Sequence, residues 1–217
     1  MNIAIYTTVF AQGIVVTLAG WLITSVVSLA LGTLLGIVSC RYLGYKDLSN
    51  VVRVYTFVAK GIPAYVQILI FYFVLPGIFN ISVSGFGAAC CALSFCSSGY
   101  TAEIVRAGIN MISIGQWDAC KALGYSLRQT LTRIILPQTF RSVVAMLCNE
   151  SESILKSTSL FAAIGVTEIT RTGMNIISRE LNPLPVYCII ACIYLCFAAL
   201  INGALIYSER RFSYGSR

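Results

Sequence analysis

The chain contains no histidine. That removes His-based acid–base catalysis, Ser–His hydrolysis and His-ligated metal sites. Charge is scarce: 11% of the 217 residues are charged, against about 25% in soluble domains. Acids are scarcer than bases, with 8 Asp+Glu against 15 Lys+Arg. There is no basic run longer than Arg210–Arg211, so the excess does not read as a nucleic-acid footprint. No GxxxxGK[ST] run occurs, so the chain lacks the usual loop for binding ATP by itself. The nine cysteines are odd in number and lack CxxC spacing, which argues against a disulfide framework or a zinc site. Cys188, Cys192 and Cys196 fall at i, i+4, i+8 of an apolar stretch. Such a stripe serves either as soft-metal ligands or as small packing residues, since a buried thiol behaves as a small hydrophobe.

What is abundant is apolar sequence: 58% of residues are hydrophobic and the mean hydropathy is +0.83. The chain is too apolar for disorder and too poorly charged to coat a water-facing surface. It reads as a multi-span membrane protein, with room for about five or six helices of roughly 20 residues each. It is expected to form one domain over residues 1–217, the length leaving little space for a second globular unit.

Five apolar stretches stand out, at about 11–40, 54–79, 83–105, 143–166 and 186–207. The fourth is the least apolar, because it holds Asn149, Glu150, Glu152 and Lys156. Residues 1–8 carry no Lys or Arg and so lack the basic start of a signal peptide. Arg41, Lys46, Arg53 and Lys60 flank the first connection; Arg106, Lys121, Arg128, Arg133 and Arg141 flank the third; Arg210, Arg211 and Arg217 form the tail. The opposite side holds only Arg171 and Arg179. The positive-inside rule then puts the N-terminus outside and the C-terminus inside. Gly32 and Gly36 form a GxxxG in the first stretch, a spacing that permits close helix approach.

The connection at about 110–139 reads as two short helices on the inner side. Ser113 and Gln116 have capping-box spacing, with Ile112 and Trp117 placed as a hydrophobic staple. Gly124 supplies a C-terminal stop. The first helix is therefore expected at about 114–123, with Ile114, Trp117, Cys120 and Leu123 along one broad face. A second box at Ser126 and Gln129 starts a helix running to about residue 136, where Pro137 marks a break or kink near the entry to the fourth stretch. A capped helix of this kind either lies on the bilayer or its own spans, or docks a soluble partner.

The spacing carries a resemblance. Asp118-Ala-Cys-Lys-Ala-Leu-Gly124, nine residues, then Ile134-Ile-Leu-Pro137 is similar to the EAA motif of ATP-binding cassette (ABC) importer permeases, E-A-A-x3-G-x9-I-x-L-P. Asp118 stands for Glu and Cys120 for Ala. Arg53-Val-Tyr-Thr-Phe-Val-Ala-Lys-Gly-Ile-Pro63 resembles the R-x-Y-x4-R-G-T-P signature of the polar amino acid (histidine/glutamine/arginine) subgroup, with Lys60 and Ile62 as departures. Gln67, Phe71-Tyr-Phe73, Thr101-Ala-Glu-Ile-Val-Arg106, Lys156-Ser-Thr-Ser-Leu160 and Glu209-Arg-Arg211 continue the likeness.

The resemblance implies an all-α membrane protein of the type I ABC importer permease fold in the bacterial cytoplasmic (inner) membrane. It implies about five transmembrane helices, N-out and C-in, with a coupling-helix loop between the third and fourth. The implied partners are an ABC ATPase, a second permease subunit (identical or homologous), an extracytoplasmic solute-binding protein and membrane lipid, with no nucleic acid. The chain itself would be non-catalytic and carry no cofactor, ATP and Mg residing on the partner ATPase. Gln116, Trp117, Asp118, Ala119, Cys120, Lys121, Leu123 and Gly124 would contact the ATPase, with Trp117, Ala119, Cys120, Leu123 and Gly124 as the mechanical contact.

Ser98, Tyr100, Glu103, Asn149, Glu150, Glu152, Ser153 and Lys156 are the polar residues at or near membrane depth and are candidates for the substrate pathway. Intramembrane charges face a cavity or each other. Glu152 with Lys156 and Glu103 with Arg106 have the spacing of neutralising pairs. Alternatively Glu152 or Glu150 binds a substrate ammonium or guanidinium. The intramembrane protease reading lacks its groups, since Asp47 and Asp118 both fall in the inner loops. A proton-coupled secondary transporter or channel would also use intramembrane carboxylates, but needs no docking loop. A permease for another solute, such as methionine or an osmolyte, is the remaining alternative.

Overall fold

The computed structural model describes residues 3–213, with side chains from 6 to 203 and that of Ile206. Arg217 lies outside the described residues, and the side chains of Arg210 and Arg211 outside the described side chains. The described residues are helical, without a strand. The long elements are α1 (Ile3–Val38), α2 (Lys46–Gly61), α5 (Gly85–Met111), α8 (Leu136–Ser157) and α10 (Pro183–Ser213). Shorter helices are α3 (Ala64–Leu69), α4 (Leu75–Phe79), α6 (Ile114–Ala122), α7 (Leu127–Gln129) and α9 (Ile169–Glu180).

Three helices are long and apolar enough to cross a membrane: α1, α5 and α10. Of their most apolar windows, 72% of α5 is buried, against 22% of α1 and 11% of α10. α5 is therefore the central post and the other two are outer walls. Its composition explains this. Ala88, Ala89, Ala92, Ser94, Ser97, Ser98 and Gly99 are small and buried, so neighbouring helices approach closely. The GxxxG of α1 lies on this seam. A Cβ at Gly32 would stand 2.5 Å from Thr101 Cβ, and one at Gly36 would stand 2.9 Å from Ala102 O. The outer faces keep large apolar side chains exposed, such as Val15 and Leu22 on α1 and Leu195 and Leu200 on α10, as a bilayer requires.

The expected second span, 54–79, is not one helix. α2 and the segment Ala64–Phe79 meet at 98°. Pro63 has no N–H and forces Ile62 into extended backbone (φ −92°, ψ 130°). The carbonyls freed at the break are not orphaned: Gln67 Nε2 donates to Ala59 O at 2.8 Å and to Ile62 O at 2.7 Å. Between α3 and α4 the chain takes a π-helical turn, Ile70–Val74. Counted as one, the bent pair gives up to four apolar spans. The fourth stretch, expected at 143–166, is covered by α8 and the 3₁₀ turn Thr158–Ile164, ending at Gly165 in the left-handed region (φ 82°). α8 packs against α5 and α10 but is not among the apolar spans, because of the polar residues noted in its sequence. The other helices run 3–38, 85–111 and 183–213: the first begins eight residues earlier than expected and ends two earlier, the second begins two later and ends six later, and the third is longer at both ends.

The break expected at Pro137 is absent. From α7 the chain runs through a π-helical stretch, Thr130–Ile135, directly into α8, whose first turn holds Pro137. The altered register ahead of the proline absorbs its missing donor. No local signal in the sequence points to α9. Its N-cap is Glu168, which is fully buried and accepts from Thr170 N (2.8 Å), Arg171 N (2.7 Å) and Tyr194 Oη (3.1 Å). The three thiols Cys188, Cys192 and Cys196 lie exposed along α10 rather than packed inside the chain. Among the described residues no group of three or more acidic or thiol side chains is arranged to hold a metal.

Candidate coupling surface and polar face

α6 matches the expected helix to within a residue, but it is held differently. Ser113 makes no side-chain capping bond, so the first capping box is not formed. Anchoring comes from packing. Trp117 and Cys120 are buried, 5% and 4% exposed, and Trp117 sits in a cluster with Cys40, Val105, Ile109 and Ile135. The Trp117 ring stacks on Tyr42, with centroids 4.8 Å apart and an interplanar angle of 24°. Tyr42 Oη donates to Ile112 O at 3.2 Å. Arg41 braces the approach to α6, its backbone N donating to Asn110 Oδ1 (3.2 Å) and its guanidinium to Asn110 O (3.3 Å).

The C-terminal end closes as a Schellman motif. Tyr125 N donates to Cys120 O and Gly124 N to Lys121 O, both at 3.0 Å, with Gly124 at φ 72°. The second capping box is formed: Ser126 N donates to Gln129 Oε1 at 2.9 Å and Gln129 N to Ser126 Oγ at 3.3 Å.

The broad apolar face expected for 114–123 is therefore divided. Trp117 and Cys120 turn inward and are covered by the chain's own packing, whereas Ile114 and Leu123 are 62% and 72% exposed. At 100° per residue, the outward arc holds Gly115, Asp118, Ala119 and Ala122, with Ile114 and Leu123 on its edges. All six are exposed. Asp118 pairs loosely with Lys121 at 3.8 Å, and Gln116 Oε1 lies 3.5 Å from Gln138 Nε2. The result is a small-residue ridge with two apolar flanks and one acid, a shape that seats in a groove.

The polar candidates sort into three kinds. Ser98 is fully buried and structural: its Oγ is 2.5 Å from Tyr55 Oη and donates to Phe95 O at 2.9 Å. Glu103 with Arg106, and Glu152 with Lys156, form the ion pairs that their spacing suggested. Glu152 Oε2 also accepts from Asn202 Nδ2 at 2.8 Å, so both its oxygens are committed within the chain. The rest line an open face. Asn149, Ser153 and Lys156 are exposed along α8 at i, i+4, i+7. Glu150, half-buried, turns toward Ser97 of α5. Tyr100 is 42% exposed with Lys60 Nζ 6.0 Å from its ring centroid.

Sequence reasoning passed over Tyr42, Asn110 and Asn202 as functional supports. Each acts across a large sequence separation, so no local spacing marks it.

Residues 31–214 match the family described as binding-protein-dependent transport system inner membrane component. The chain is 35% identical over 190 residues to a glutamine transport system permease protein of Escherichia coli (strain K12), covering 86% of this chain and 87% of that one. It is 30% identical over 191 residues to an arginine transport system permease protein of Bacillus subtilis (strain 168), covering 88% and 86%. Among solved structures it is similar to an amino acid ABC transporter crystallised with histidines, at TM-score 0.85 and 29% identity over 97% of both chains. An inward-facing MetNI methionine ABC transporter shares the fold at TM-score 0.80 and 16% identity, over 95% of this chain and 97% of that one.

Proposed function

The chain belongs to the binding-protein-dependent transport system inner membrane components, and from that premise we propose that it forms the membrane pathway of an ATP-driven importer of polar amino acids. As an ABC importer permease it works with an ATPase and further components. The finer assignment is that two permease chains, two ATPases and an extracytoplasmic solute-binding protein act together. ATP and Mg stay on the ATPase, and this chain performs no chemistry.

One observation carries the reading. The outward ridge of α6 is tied through its Schellman turn to a helical rod that runs from Leu127 through α8 to Ser157. That rod bears the open polar face at Asn149, Ser153 and Lys156. A partner that grips Gly115, Asp118, Ala119 and Ala122 therefore pulls on the polar face through this connection. This is a lever for alternating access.

The test is ATP-dependent uptake in vesicles carrying the chain with its ATPase. Asp118→Lys, or Gly124→Asp at its positive φ, abolishes uptake and ATPase pull-down while the chain still reaches the membrane. Normal uptake by both variants overturns the docking assignment. Uptake without ATP would revive the proton-coupled alternative.

The substrate class rests on the named solutes of the relatives, glutamine and arginine. The methionine transporter supports the fold alone. Because Glu152 is paired with Lys156 and also accepts from Asn202, the acid of the polar face that enters no ion pair among the described residues is Glu150, which faces the Ser97 hydroxyl. Glu150→Gln lowers uptake of a labelled cationic amino acid more than Glu152→Gln does. The reverse order would return the role to Glu152.

A further inference from the structure

The cationic end of the molecule holds a cavity of about 500 Å³ between the end of α1, the first turns of α2 and the end of α5. Its lining carries Arg41, Lys46, Arg53 and Arg106, against Glu103 as the acid. Two of these cations are fixed within the chain: Arg106 pairs with Glu103, and Arg41 donates to Tyr42 Oη (2.6 Å) and Asn110 O (3.3 Å). Lys46 and Arg53 enter no ion pair among the described residues. Four cations around one carboxylate leave the cavity strongly positive, so it suits an anion.

The kind of anion is indicated by what adjoins it. Arg53 also lines a second, mainly apolar trough of about 550 Å³ that continues along α2 past Val54, Phe57 and Gly61 to Lys60. Phe57, one turn beyond Arg53, is 77% exposed, and Val54 and Val51 are each 64% exposed. A free phosphate would use the cavity and leave these surfaces bare. A molecule with a phosphate at one end and hydrocarbon at the other fills both. Basic pockets between helices on the inner side of a membrane suit such head groups.

We propose that this cavity binds the phosphate of an anionic phospholipid from the inner leaflet, with an acyl chain along Val54 and Phe57. Lys46 and Arg53 are the uncommitted phosphate contacts, and Arg41 and Arg106 are held in place beside them. The site is apart from the α6 ridge and from Asn149, Ser153 and Lys156 of α8, while Glu103 and Lys60, which border the candidate substrate pathway, lie at its edge.

Native mass spectrometry of the assembled importer tests this with phosphatidylglycerol, phosphatidylcholine and inorganic phosphate as probes. Phosphatidylglycerol binds in preference to phosphatidylcholine. A Lys46→Gln/Arg53→Gln double variant weakens it by about 25-fold, at about fivefold for each cation near a membrane surface. Arg171→Gln/Arg179→Gln, an equal charge change at the opposite end, leaves it unaltered. Equal loss in both double variants, no preference between the lipids, or inorganic phosphate competing at the same concentration overturns the proposal. The last outcome identifies a free-phosphate site instead. Photoreactive phosphatidylglycerol on the wild-type complex removes dependence on the variant's folding. Labelling falls within residues 39–57 and 103–110, and labelling confined to other segments overturns the assignment.

Discussion

α6, nine residues long, hangs from the cationic end of the molecule by the Trp117–Tyr42 stack and a buried thiol. α9, twelve residues long, is fixed at the other end by the buried Glu168 carboxylate. The first has no side-chain cap at all. The second is capped twice over, and Ile169 N also donates to Thr17 Oγ1 of α1 at 3.2 Å. The difference matches what each must do. Packing, with only a long side-chain bond from Gln138 to Gln116 beside it (3.5 Å), holds α6 to the bundle as a body while leaving its outer ridge free to be gripped. A directional polar network ties α9 to α1 and α10 at a fixed angle, because a buried carboxylate is tolerated only while every bond to it is made.

Trp117→Ala breaks the first half of that comparison and carries the largest expected effect. Loss of a buried indole costs about 3–5 kcal/mol, visible as a lower thermal midpoint of the purified complex. It also releases α6, so ATP-dependent uptake is lost. Trp117→Phe keeps the stack and costs about 1–2 kcal/mol, because the indole N–H has no hydrogen-bond partner to lose among the described residues. Equal damage from the two variants would show that the ring's packing is not the anchor. Glu168→Ala breaks the second half and ranks next. It strands two backbone donors and the Tyr194 hydroxyl, at about 2–3 kcal/mol in total. Hydrogen exchange then rises across 169–180 and stays unchanged across 114–122. Exchange rising equally in both helices would mean that the ends are not independently held.

The two ends also differed in how far the sequence disclosed them. The inner loop was legible because its signals are local. Gly124, the Ser126–Gln129 box and the spacing from Asp118 to Pro137 lie within a few turns of the structure that they specify. The division of the α6 face was not legible, since Tyr42 chooses which side of Trp117 turns inward and stands 75 positions away. The bend at Pro63 was hidden for a related reason. The apolar run continues through it, and the break is made tolerable by Gln67, eight residues from Ala59. α9 was missed because a glutamate is an unusual N-cap, chosen here only because Tyr194 of α10 reaches the same carboxylate. Of the polar face, the ion pairs were readable from i, i+3 and i, i+4 spacing. The attachment of Glu152 to Asn202 spans 50 positions and was not.

The smallest expected effect separates two serines with the same sequence signature. Ser113 and Ser126 each precede a Gln by three residues, yet only Ser126 forms the reciprocal bonds. Removing a formed cap costs about 1 kcal/mol, whereas an exposed side chain with no bond to lose changes stability by no more than about 0.5 kcal/mol. Ser126→Ala therefore lowers the thermal midpoint measurably and Ser113→Ala does not. The cost at Ser126 falls on the start of the rod, so Ser126→Ala also reduces uptake slightly, by weakening the joint between the gripped ridge and the polar face. A matching loss in Ser113→Ala would mean that α6 depends on its own cap after all, and the contrast between a helix held by packing and one held by bonds would fail at its inner end.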